Sequence, residues 1–243
     1  MKKLLFAFLM LSLAGTVFSQ KETINIVNDA NAEARKVGDF HGIDVSNAIS
    51  VYLSQGEENA VAVSCEDASQ NSKITTAVKN GILVIRLENG TWNGWSWKDK
   101  RIRAYITVKN IDYIQSSGAC TIKLTEAFKV NKLKIDINGA STFKGSLTAT
   151  EINLDASGAS SVTIEGSTKN LTIDASGASS IKAYDLQTDD CNAEASGASS
   201  VGINVQNQLK AEASGASSIR YKGEPKSKDC NASGASSIKA RTS

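Results

Sequence analysis

Helical spacing of apolar residues is absent from the C-terminal half of this chain, which excludes an α-helical or α/β architecture there. Histidine occurs once, at His41, in a strand-like stretch with no evident partner. A Ser-His-Asp relay therefore has a single candidate base and little support. Net charge is equally sparse. The chain carries 27 Lys and Arg against 25 Asp and Glu, and removal of an N-terminal leader containing Lys2 and Lys3 would leave 25 of each. A neutral mature chain offers no electrostatic basis for nucleic acid or an anionic membrane as partner. Long apolar runs are lacking too, except for Leu4 to Leu13. That run is too short to span a membrane comfortably. With Lys2 and Lys3 ahead of it and Val17-Phe18-Ser19 behind, residues 1–19 read as an export signal cut before Gln20. No cysteine lies in it, so a lipid-anchored start is not expected.

What the chain has instead is a repeat. The phrase Ser157-Gly158-Ala159-Ser160-Ser161 returns with its glycine at Gly177, Gly197, Gly215 and Gly234, and looser copies centre on Gly118 and Gly139. Successive glycines stand 21, 19, 19, 20, 18 and 19 residues apart. A period near 19 with strand-like flanks marks a solenoid, each repeat one coil stacked on the last. Six, four and two residues before the glycine stand Leu133, Ile135 and Ile137, then Ile152, Leu154 and Ala156, then Leu171, Ile173 and Ala175. Alternation resumes after it, as in Val162 and Ile164 or Ile219 and Tyr221. Each segment is thus a strand with one buried face. The phrase is a corner where glycine takes positive φ. Inward positions beside it shrink to Ala156, Ala175, Ala195, Ala213 and Ala232. The serines are expected to form ladders along the outside. The fold predicted is all-β: a parallel β-helix or solenoid of one chain, right-handed by the crossover rule, with coils of about 19 residues and a less regular N-terminal half. Its divisions are the signal peptide at 1–19, an N-terminal β region at 20–115 and regular coils at 116–243.

Within that N-terminal region, Ile43-Asp44-Val45-Ser46-Asn47-Ala48 matches Ile173-Asp174-Ala175-Ser176-Gly177-Ala178 in register. Asn47 takes the glycine place, and Asn tolerates positive φ next best. The array thus gains an eighth, degenerate copy at its N-terminal end. Asn80-Gly81 signals a hairpin between Ile74–Val78 and Ile82–Leu87, and Arg101 to Val108 alternates again.

Phe40, Ile43, Val45, Ile49, Val51 and Leu53, followed by Gln55-Gly56, Leu83-Val84-Ile85 and the repeated Ser/Asn-Gly-Ala corners, resemble the head GIN domain family of "putative autotransporter adhesins" across nearly the whole mature chain. The resemblance implies an exported β-helical protein with adhesion inferred, and brings no catalytic residues. No translocator barrel is expected after Ser243.

Four groups of residues stand out as candidates. Trp92, Trp95 and Trp97 share one segment and could form a ligand-binding loop by stacking on sugar rings; equally, they could cover the solenoid. An acidic column, Asp136, Asp155, Asp174, Glu194 and Glu212, lies three residues before the glycines. Stacked acids repel and suit Ca²⁺, but a solvated face is the ordinary reading and no metal site is predicted. The same column could supply carboxylate pairs for glycoside hydrolysis, yet a repeated carboxylate singles out no pair. Cys191 and Cys230 fall on inward columns as small buried hydrophobes, two coils apart and beyond disulfide reach. The last coil leaves strand edges open to a second copy or a partner strand. The expectation is an exported, non-enzymatic adhesion or cell-envelope module without cofactor, in the periplasm, on the outer-membrane surface or outside the cell. Its partner would be a glycan or cell-surface protein, and the C-terminal end could form homo-oligomers. The alternative is a carbohydrate-binding or polysaccharide-cleaving β-helix.

Overall fold

The computed structural model describes residues 29–88 and 101–241. Tyr113–Ser116 (β8) and Thr121–Lys129 (β9) flank the Gly118 corner, and Lys132–Ile137 (β10) and Thr142–Ala156 (β11) flank Gly139. The next corners separate Ser161–Ala175 (β12), Ser180–Ala195 (β13) and Ser200–Ala213 (β14), followed by Ser218–Lys222 (β15), Ser227–Ala232 (β16) and Ser237–Ala240 (β17). All pair in parallel with the preceding coil, so one column runs Ile135, Leu154, Ile173, Ala193, Ala211 and Cys230. The result is a β-solenoid of about seven turns between residues 113 and 240. The alternation explains its core: Ile135, Leu154, Ile173, Ala193 and Ala211 are fully buried, while the residues between them face out.

The degenerate copy is stacked in this array but does not end it. Gly42–Val45 (β2) and Ile49–Gln55 (β3) pair with β8 and β9 on one side. On the other they pair with Ile82–Leu87 (β6) and Ile102–Val108 (β7). The chain thus starts in the second layer, drops to the first, then returns over the second and climbs. Beyond this lowest layer the edges are met by antiparallel strands. Ile74–Lys79 (β5) forms the expected hairpin with β6 through Asn80 and Gly81, both at positive φ (52° and 76°), as a type I′ turn requires. Ala60–Ser64 (β4) runs antiparallel to β7, and Glu33–Arg35 (β1) antiparallel to β4.

Side chains pin this end. The Asp29 carboxylate accepts from the Tyr105 hydroxyl at 2.7 Å and Arg103 at 3.1 Å. Buried Asn71, on the 3₁₀-helix Ala68–Lys73, accepts from Cys65 N and donates to Asn31 O.

Candidate interaction faces

The corners place every outward group, so they come first. Glycines 118, 139, 158, 177, 197, 215 and 234 have φ between 68° and 81°, and Asn47 has φ 84°. Glycine is required here for a second reason, because consecutive corners nearly touch. Ala178 N donates to Gly158 O at 2.7 Å, and the same bond recurs from Ala140, Ala159, Ala198, Ala216 and Ala235. A Cβ on Gly177 would stand 2.6 Å from that carbonyl oxygen. Asn47 fits because β6 beneath it remains a strand through Leu87, with no corner at that level. Its Oδ1 accepts from Leu87 N at 3.2 Å, in place of the backbone contact made in higher coils.

The expectation of serine ladders on the outside needs correction for one of them. Ser141, Ser160, Ser179, Ser199 and Ser217 are at most 2% exposed. Strand alternation continues through the corner, so the residue two before Val162 or Ile181 must point inward. Ser199 Oγ donates to Ala175 O at 3.1 Å and Ser217 Oγ to Ala195 O at 2.9 Å, whereas Ser160 Oγ and Ser179 Oγ are buried without a hydrogen-bond partner among the described residues. The following position does face out, as a hydroxyl ladder of Thr121, Thr142, Ser161, Ser180, Ser200, Ser218 and Ser237. Cys230 and Ala232, expected inside, are exposed because they lie on the last described coil, with no layer over them. Cys191 is buried as expected, and its burial pushes the thiol pKa up to about 12.

The acidic residues stack as one column before the corner: Asp136, Asp155, Asp174, Glu194 and Glu212 are successive register partners. Nearby lysines answer them. Lys134 lies 3.4 Å from Asp136 and 3.5 Å from Asp155, Lys132 2.7 Å from Glu151, and Lys210 3.0 Å from Glu212. Burial, and then its contact with Asp155, raise the Asp136 pKa above the ordinary carboxylate value of 3.8. Tyr113, which donates to Asp136 at 3.0 Å, is pushed up to about 12 by burial and that bond. Among the described residues no group of three or more His, Cys, Asp or Glu is arranged to hold a metal ion.

After the corner the sequence reading missed a second column. Lys123, Lys144, Thr163, Lys182, Gly202, Arg220 and Lys239 are successive register partners. The signal was available, since each stands five residues after its glycine. The five cations are exposed. At Gly202 the ring of Tyr184 lies across the column, where a Cβ would stand 2.4 Å from it. Arg241 sits 4.3 Å from that ring's centroid and Lys222 5.6 Å. A chain of nearly balanced charge is therefore polarised by its fold, with an acidic column before the serine corner and a cationic one after it.

His41, without an evident partner in the sequence, has one: its Nδ1 lies 2.7 Å from Asp112 Oδ1, both half-exposed. The pair borders an open cleft of about 710 Å³ with Lys129, Asn131 and Thr150. Trp92, Trp95 and Trp97 lie outside the described residues, as does the proposed leader. Among the described residues no helix is long and apolar enough to cross a membrane.

Known proteins share this architecture. A "putative adhesin" from Bacteroides fragilis superposes with a TM-score of 0.80 at 22% identity, over 86% of this chain and 96% of that one. A "putative adhesin" from Parabacteroides distasonis gives 0.68 at 18%, over 86% and 96%. A second P. distasonis protein, named a "putative lipid binding protein", gives 0.64 at 19%, over 88% and 98%. At these identities the likeness is one of fold. No curated protein matches the chain. Residues 39–225 match the family described as "Putative auto-transporter adhesin, head GIN domain", and the chain belongs to that family.

Proposed function

We propose that the protein is an exported, non-enzymatic module that adheres to a surface or envelope component through the outer faces of its solenoid. One observation carries this reading: the outer faces repeat like side chains along stacked coils, a hydroxyl ladder beside a column with cations at five of seven positions on one face and a carboxylate column on the other. Such a face presents an extended array instead of a pocket, and suits a partner that is itself extended or repetitive. The family name, with its reference to adhesins, and the leader-like residues 1–19 support the same reading.

The polysaccharide-cleaving alternative has one observation of its own, the His41–Asp112 pair beside an open cleft. The other side of the His41 ring packs on Gly81, where a Cβ would stand 2.5 Å from Nε2. The C-terminal end, expected from the sequence to be able to form homo-oligomers, carries a feature that opposes docking. An inward column of Leu171, Cys191 and Leu209 finishes there on Lys228. An inward-pointing charge is a known device for blunting an open edge, so a second copy docking there would have to bury that ammonium.

The experiment is adhesion itself. Beads coated with residues 20–243 should bind bacterial or host cell surfaces, and soluble chain should compete. Beads that bind no better than uncoated ones would refute the reading.

A further inference from the structure

We propose that the face after the corner binds a linear anionic polysaccharide along the solenoid axis, through the column of Lys123, Lys144, Lys182, Arg220 and Lys239. This rests on the adhesion reading and names the class of ligand.

The argument starts from pairing. The lysines on the opposite side of the corner are neutralised: Lys132, Lys134 and Lys210 all stand within 3.5 Å of a carboxylate. None of the five cations of the column forms an ion pair among the described residues, although all five are exposed. Five unpaired cations in single file are a costly arrangement for the free protein, since like charges repel, and an anion relieves it.

Spacing sets the shape of that anion. The column spans six coil steps from Lys123 to Lys239, or about 29 Å at about 4.8 Å per step. Neighbouring cations are one or two steps apart, about 5–10 Å, close to the Debye length of about 8 Å at physiological salt, so they act on a ligand jointly. The file is one side chain wide, which matches a single extended polymer and not a broad anionic surface. The acids across the corner would repel a broad surface. Beside the cations runs the outward-facing hydroxyl ladder from Thr121 to Ser237, exposed at Thr121 and Ser200 and half-buried elsewhere, able to donate to and accept from sugar hydroxyls. Glu126 and Glu165 flank the lower part of the column, and Asp185 is answered by Lys222 at 3.5 Å. The field is therefore strongest at the upper end, where Arg220 and Lys239 are register partners and Arg241 lies over the Tyr184 ring.

The test measures binding of residues 20–243 to polygalacturonate, dextran sulfate and neutral dextran at low and moderate salt, with two variants that lose equal charge. Lys182→Gln/Arg220→Gln/Lys239→Gln should weaken binding to both anionic polymers at least tenfold. Lys132→Gln/Lys134→Gln/Lys210→Gln should change it less than twofold. Binding should fall with salt, and neutral dextran should not be retained. Equal losses in the two variants would overturn the inference, because net charge alone would then explain binding. Retention on cell surfaces without retention on either anionic polymer would overturn it while leaving the adhesion reading intact; retention on neither would remove both. Duplex DNA bound as tightly as polygalacturonate would overturn the polysaccharide assignment. Salt-sensitive self-association abolished by the first variant would assign the column to the acidic face of a second copy instead.

Discussion

Replacing Gly177 with alanine tests the corner geometry most sharply. Its φ of 68° lies in the left-handed region, where a Cβ costs about 1–2 kcal/mol. The same Cβ would stand 2.6 Å from Gly158 O, closer than real Cβ contacts allow, and 3.0 Å from Gly158 N. Relief requires the two corners to part, which stretches the 2.7 Å bond from Ala178 N to Gly158 O, worth about 1 kcal/mol. Together these give a loss of about 2–3 kcal/mol. The glycine ladder supplies internal controls. The Cβ approach opens to 2.9 Å at Gly215, 3.0 Å at Gly234 and 3.3 Å at Gly118, while φ stays near 70–81°. Gly234→Ala, on the last described coil, should therefore cost only the conformational term, about 1–2 kcal/mol. Solenoids lose structure coil by coil, so the assay is hydrogen exchange resolved along the chain, beside denaturant unfolding. Gly177→Ala within about 0.5 kcal/mol of the parent, or no worse than Gly234→Ala, would refute the reasoning.

Three further outcomes follow from the same structure. A thiol reagent should label only Cys230 in the native protein and all four cysteines after unfolding, since Cys65, Cys120 and Cys191 are buried; mass spectrometry counts the adducts, and a second native adduct contradicts the packing. Lys228→Leu should promote concentration-dependent association in light scattering by removing the charge from an apolar column, and a strict monomer would show that this residue does not guard the edge. The raised pKa of Asp136 means that its folded form holds a proton more tightly than its unfolded form. Its contribution to stability is therefore full below about pH 3.8 and is lost as pH rises through the folded value. Asp136→Asn should stabilise the protein at neutral pH, with the gain shrinking toward pH 4, and urea melts across that range would expose a constant or inverted difference.

Much of this was legible in the chain because a solenoid writes its geometry as a period. Glycine spacing located the corners, and alternation identified Ile135, Leu154 and Ile173 as core, since each coil obeys the same local rule. Asn47 was readable as a corner from its match to Gly177, but the reason it is tolerated, a layer below that does not turn, was not. Nothing local encodes the order of layers, so β6 and β7 beneath β2 and β3 could not be foreseen. Nor could the contact between His41 and Asp112, which lie 71 residues apart. The inward serines were misplaced for a different reason. Polarity was allowed to outweigh alternation, although backbone carbonyls inside the corner can accept from a hydroxyl. The cationic column was hidden by a balanced net charge, which reports the sum and not the arrangement.

The proposed function requires that this protein bind a surface polymer without cutting it. Residues 20–243 should be incubated with polysaccharides purified from target cell surfaces, and the polymer then sized by chromatography with the protein traced alongside. The account predicts that protein co-elutes with polymer of unchanged length, however long the incubation. Polymer that shortens with time, and stops shortening when His41 is replaced by Ala, would contradict it.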